Sequence, residues 1–69
     1  MLRTHVESSS IVSVGYDEER RVLEVMYTGG RVYHYLNVPS ALVLALLEAK
    51  SKGRFLNDQI KPNFDYRAV

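Results

Sequence analysis

Few residues in this chain could do chemistry. Tyr33 and Tyr35 stand two apart with Arg31 just ahead of them, and Lys50, Lys52, Arg54, Lys61 and Arg67 crowd the stretch from residue 50 to residue 69. Aromatics two apart on a strand share a face, and beside an arginine they form a platform on which unstacked bases can lie. The five C-terminal cations could follow a phosphate backbone through point contacts. Each set also has a plainer use. In so short a chain the tyrosines are just as much needed for the core, and burial is the heavier reading. Lys50, Lys52 and Arg54 flank a helix break, where they would solvate the helix end and favour its negative dipole.

The remaining reactive residues assemble nothing. His5 and His34 have no spacing typical of a zinc site, and the chain has no cysteine. Ser8, Ser9 and Ser10 with His5 and Asp17 could be drawn as a hydrolytic triad, but serines ahead of a strand are ordinary turn and capping residues. Gly29-Gly30 is not followed by a helix carrying a lysine, so it reads as a hairpin turn rather than a phosphate loop. The expectation is a protein that is not an enzyme and holds no metal or cofactor.

Sixty-nine residues make one domain. A core this small supplies about 3–5 kcal/mol of net stability. The absence of cysteine points to a reducing cytoplasm. The opening MLRTHVESSS lacks the apolar run of a signal peptide, and the apolar stretch Ala41 to Leu47 is far below the roughly 20 residues of a membrane span. Net charge is only +1, but it is unevenly placed. Residues 1–49 carry four basic groups against six acidic ones, and residues 50–69 carry five against two. An anion-seeking surface is therefore expected in the C-terminal third.

The elements that must position these residues read as an α+β domain: a three-stranded antiparallel meander packed by one main helix, then a short second helix and an extended tail. Residues 1–8 read as an arm, tied down late or not at all. Ile11 to Tyr16 is the first strand, with Val12, Val14 and Tyr16 on one face. A polar loop, Asp17 to Arg20, leads to the strongest strand, Arg21 to Tyr27, with Leu23, Val25 and Tyr27 on one side. Thr28-Gly29-Gly30 is a tight turn. The third strand, Arg31 to Leu36, is expected in the register of a three-residue loop with a glycine bulge. That register sets Tyr33 against Val25 and Tyr35 against Leu23 instead of placing an imidazole there.

Pro39 is expected at the first position of a helix running to about Ser51. Leu42, Ala45, Leu46 and Ala49 would make its inner stripe, widened by Val43 and Leu47. Leu44 falls on the outer side, where it is either a singly exposed leucine or a contact for self-association. Gly53 offers a left-handed C-cap. Arg54 to Ile60 makes a second helix with Leu56 and Ile60 on its apolar edge, and Phe64 and Tyr66 alternate with polar residues in a tail.

Taken together, these residues resemble the KTSC domain family. The pattern is V-x-S-S-x-I-x-x-V-G-Y-D, then L-x-V-x-Y-x-x-G-x-x-Y-x-Y-x-x-V-P, then L-x-x-A-x-S-x-G-x-F-x-N-x-x-I. Here it is carried by Val6, Ser8, Ser9, Ile11, Val14, Gly15, Tyr16, Asp17, Leu23, Val25, Tyr27, Gly30, Tyr33, Tyr35, Val38, Pro39, Leu46, Ala49, Ser51, Gly53, Phe55, Asn57 and Ile60, with the serine run Ser8 to Ser10 offset by one. The family takes its name from a C-terminal domain of some lysyl-tRNA synthetases, and similar units stand alone as small bacterial or phage proteins. The resemblance brings no catalytic residues and implies RNA, or an RNA-handling partner. The expectation is thus a binding module for RNA or an RNA-associated protein, with Lys50, Lys52, Arg54, Lys61, Arg67, Arg31, Tyr33 and Tyr35 as candidate contacts. Its rival is a protein-interaction or assembly module that recruits a partner, or a second copy through Leu44, without touching nucleic acid or membrane.

Overall fold

The computed structural model of the chain describes residues 3–5 and 10–69. It is a two-layer α+β domain whose single antiparallel sheet has five strands in the order of the chain. These are β1 (Arg3–His5), β2 (Ile11–Asp17), β3 (Val22–Tyr27), β4 (Val32–Tyr35) and β5 (Tyr66–Ala68). Between β4 and β5 lie α1 (Ser40–Glu48) and α2 (Lys52–Phe55), the latter running on into a single π-helical turn, Leu56–Ile60. The expected meander is present as β2–β3–β4. Each of its open edges is extended by a three-residue strand, one from the N-terminal arm and one from the tail. Met1, Leu2 and the stretch 6–9 lie outside the described residues, and with them Ser8 and Ser9.

The register is set by what the helix-facing side must bury. Leu23 pairs with Tyr35 and Val25 with Tyr33, the pairing expected of a bulged three-residue turn. The turn closes through the Gly30 N–H to the Tyr27 carbonyl at 3.1 Å, with a Tyr27 N–H to Arg31 carbonyl bond at 2.8 Å behind it. Gly29 and Gly30 hold φ of +100° and +90°, a region costly for any residue with a Cβ. An added Cβ at either would meet open space, so the cost of replacement is backbone conformation alone. Gly30→Ala is expected to lower stability by about 1–2 kcal/mol without altering the core, read as a drop in melting temperature with unchanged near-ultraviolet dichroism.

Val12 departs from the expected alternation. Ile11 pairs with Tyr27 but Ser13 with Met26, which makes Val12 the extra residue of a β-bulge. The bulge lets Ile11 and Val14, three apart, both turn into the core, at 1% and 3% exposure, and pushes Val12 out to 37%. The core comprises Ile11, Val14, Leu23, Val25 and Tyr35 from the sheet, Val38 from the connection, Val43 and Leu46 from α1, and Leu56 and Ile60 beyond α2. The Tyr16 hydroxyl donates to the Val38 carbonyl at 2.6 Å and fastens the chain leaving β4 to the start of the meander.

Three helix expectations need correction. Pro39 is the extended N-cap (ψ 148°) and not the first helical residue, so α1 opens at Ser40, with the Pro39 carbonyl accepting from Leu42 at 3.0 Å. Ala45 is exposed, because the nine-residue helix turns Val43 and Leu46 inward and leaves Ala45 beyond the apolar stripe. Leu44 is outermost at 61% exposure. Gly53 is no C-cap but lies inside α2. The break belongs to Ser51, whose Oγ accepts from the Arg54 N–H at 3.3 Å, while the Lys52 ammonium donates to the Ala49 carbonyl at 2.9 Å. The π-helical turn closes through the Lys61 N–H to the Leu56 carbonyl at 2.8 Å, which keeps Leu56 and Ile60 together in the core and turns Lys61 outward.

Candidate nucleic-acid interface

Residues facing each other across the sheet point to the same side, so the pairings place Tyr27, Tyr33, Tyr35 and Tyr66 together on the helix side. Their rings form one cluster with Tyr33 at its centre. Tyr33 lies 5.4 Å from Tyr27, 5.3 Å from Tyr66 and 6.5 Å from Tyr35, each at the steep angle of an edge-to-face contact. Tyr27 and Tyr35 share a hydroxyl–hydroxyl hydrogen bond of 2.7 Å. Burial pushes both phenols above their ordinary range. For Tyr27 the shared bond raises the pKa further, and repulsion from Tyr35 and Tyr33 adds to it. For Tyr35 the bond works the other way, while Tyr33 and Tyr66 raise it.

This arrangement divides the candidate residues into four groups. Tyr35 is 1% exposed, so it belongs to the core and has no face to offer a base. Tyr33 is half-buried and reaches a cleft of about 390 Å³ lined by Ser10, Tyr27, Thr28, Arg31, Tyr33 and Lys61. Arg31 and Lys61 thus converge from 30 residues apart, one from the β3–β4 hairpin and one from the end of the π-helical turn. The Lys61 Nζ stands 5.4 Å from the centre of the Tyr27 ring, a cation–π distance. The third group sits at the helix break: Lys52 is tied to the Ala49 carbonyl, Arg54 reaches Asp58 at 3.7 Å, and Lys50 is exposed beside them. Arg67 is alone in the fourth. It stands opposite His34 across β4 and β5, on the reverse side of the sheet from the tyrosines.

The reverse side carries its own charged pair. Glu24, 8% exposed in mid-sheet, lies 2.9 Å from the His34 Nε2. Among the described residues no three His, Cys, Asp or Glu side chains gather as a metal would require, and no helix is long and apolar enough to cross a membrane. Tyr27, Thr28 and Ser10 were not among the contacts expected from the sequence. A signal for two of them existed, because a turn closed between Tyr27 and Arg31 must set its own flanks beside Arg31. Nothing local marked Ser10 or the approach of Lys61.

A small two-layer domain, with an open antiparallel sheet under short helices and a cationic, tyrosine-lined cleft at one end, is the class these features define. The chain belongs to the KTSC domain family, whose sequence pattern matches residues 7–64. It is 40% identical to a KTSC domain protein of Yersinia pestis of known crystal structure, which it matches with a TM-score of 0.92 over 99% of this chain and 96% of that one. An uncharacterized protein of Stutzerimonas stutzeri is 48% identical over 90% of this chain and 87% of its own length. A lysine–tRNA ligase of Nostoc punctiforme is 33% identical over 91% of this chain, but the match takes up only 11% of the ligase.

Proposed function

We propose that this domain is a non-enzymatic module of the cytoplasm that binds single-stranded RNA, or an RNA-associated protein. The observation that carries the proposal is the convergence of Arg31 and Lys61 with the Tyr27 and Tyr33 rings on one open cleft that has no acidic side chain among the described residues of its lining. Cations track phosphates and aromatic faces accept unpaired bases without regard to sequence, so the two together suit an unpaired strand better than a duplex. Lys50, Lys52 and Arg54 would extend the contact to further phosphates. The similarity of this chain to a segment of a lysine–tRNA ligase supports the choice of RNA.

The test is a nitrogen-15 NMR titration with a mixed-sequence single-stranded RNA and a tRNA pool, at low and at raised salt. Shifts are expected at Arg31, Tyr33 and Lys61, and the affinity should fall with salt at a log–log slope of about −0.7 for each phosphate engaged. Arg31→Ala should flatten that slope by about one such step. An unmoved spectrum at low salt would sink the RNA reading. It would turn attention to protein partners, for which the exposed Leu44 and the short β5 edge are the available surfaces.

A further inference from the structure

We infer that the hairpin cleft is a site for one nucleotide unit, with its phosphate held between Arg31 and Lys61 and its planar base against the tyrosines. This inference rests on the RNA reading for its biological source, but its chemistry is that of any nucleoside monophosphate. The described lining brings the Arg31 guanidinium and the Lys61 ammonium together with the Ser10 and Thr28 hydroxyls and the phenols of Tyr27 and Tyr33, which both donate and accept, and none of its described residues is acidic. Arg31 has no ion-pair partner among the described residues, and Lys61 rests on the Tyr27 ring instead of on a carboxylate. Two cations lining one cleft, with no carboxylate beside them among the described residues, favour an incoming anion, and a guanidinium fork matches the oxygens of a phosphate.

Size and shape narrow the ligand. At about 390 Å³ the cleft is at the small end of ligand pockets, which run from about 300 to 1,000 Å³. Its size suits a single nucleotide unit. The aromatic wall adds what a bare anion could not use. Tyr27 and Tyr33 present π-surface beside the cations, and the Tyr27 phenol is already engaged with Tyr35, so this wall offers contact area more than further hydrogen bonds.

The experiment titrates the nitrogen-15-labelled full chain separately with AMP, adenosine, inorganic phosphate and a five-nucleotide single-stranded RNA. AMP is expected to move Thr28, Arg31, Tyr33 and Lys61 and to bind about fivefold or more tighter than phosphate, the gain of one base–aromatic contact. Arg31→Ala and Lys61→Ala should each weaken AMP severalfold. Arg20→Ala, which removes an equal charge from the β2–β3 loop at the other end of the strands, should leave AMP binding unchanged.

If AMP and phosphate bind equally, the base contact is refuted and the inference falls. If RNA binds but its shifts map only to Lys50, Lys52 and Arg54 while AMP moves nothing, the RNA reading stands and this cleft is not its site. If AMP binds in the cleft and RNA does not, the site takes a free nucleotide and the RNA reading falls. If neither binds, both fall.

Discussion

Tyr35→Ala is expected to leave the domain unfolded at 25 °C. The Tyr35 ring is 1% exposed and pairs with Leu23 across the central strands, in contact with the core that the helices close. Truncating a buried aromatic to alanine costs about 3–5 kcal/mol, as much as a core of this size supplies in all. Tyr35→Phe keeps the ring and removes one hydroxyl, leaving the Tyr27 phenol without its partner at 2.7 Å. That change should cost about 1 kcal/mol and lower the melting temperature by several degrees with cooperativity intact. Circular dichroism melts of the three proteins decide the matter. A cooperative Tyr35→Ala melt within a few degrees of wild type would mean that the sheet–helix core is not what holds the fold.

The second large effect is with pH. Tyr27 and Tyr35 both have folded-state pKa values raised above the ordinary tyrosine value of about 10, chiefly because burial disfavours the phenolate. In the unfolded chain they ionise near pH 10, whereas in the folded chain they hold their protons. Below that pH the two states bind the same protons at these groups, and stability does not depend on them. Above it the folded state binds more, so stability falls as pH rises, with a limiting slope of about 1.4 kcal/mol per pH unit for each tyrosine. The domain should therefore lose stability progressively above about pH 10, Tyr27 and Tyr35 acting in the same direction. Urea melts at stepped pH would show a plateau up to pH 10 and then a steep descent, which Tyr27→Phe should make shallower by about one proton. Stability that stays level to pH 12 would contradict the burial of this pair.

How much of this was legible in the sequence depends on the distance over which each feature is decided. The β4 register was legible because the choice lay between two large aromatics and an imidazole opposite Leu23 and Val25, and burial decides such a choice. The place of Val12 was not, since a bulge leaves no mark on an alternating pattern. What Ile11 gains at the core becomes visible only once Tyr27 and Met26 are opposite. Pro39 was misplaced by one residue because its fixed φ suits the cap as well as the first helical position. Gly53 looked like a C-cap because glycine permits one, although here it sits inside α2. The cleft was half legible: Arg31 and Tyr33 stand together in the sequence, but Lys61 arrives through the π-helical turn and Ser10 through the far end of β2. The same folding removed Tyr35 to the interior and Arg67 to the reverse side. Charge along a chain does not specify which face of a sheet will carry it.

The two outer strands have a mechanical consequence. The first and last described strands are opposite edges of one sheet, separated by three intervening strands, hence about 19 Å apart at about 4.8 Å per step. Successive antiparallel neighbours make them run in the same direction, so the polypeptide enters at one end of the sheet and leaves at the other. Tension on the two termini therefore loads each edge along its strand axis, straining the bonds of a three-residue pairing together rather than opening them one at a time. Embedded in a longer polypeptide, such a unit is a rigid strut that sets its flanking segments apart across its width, and its termini are too distant to be joined by a tight loop.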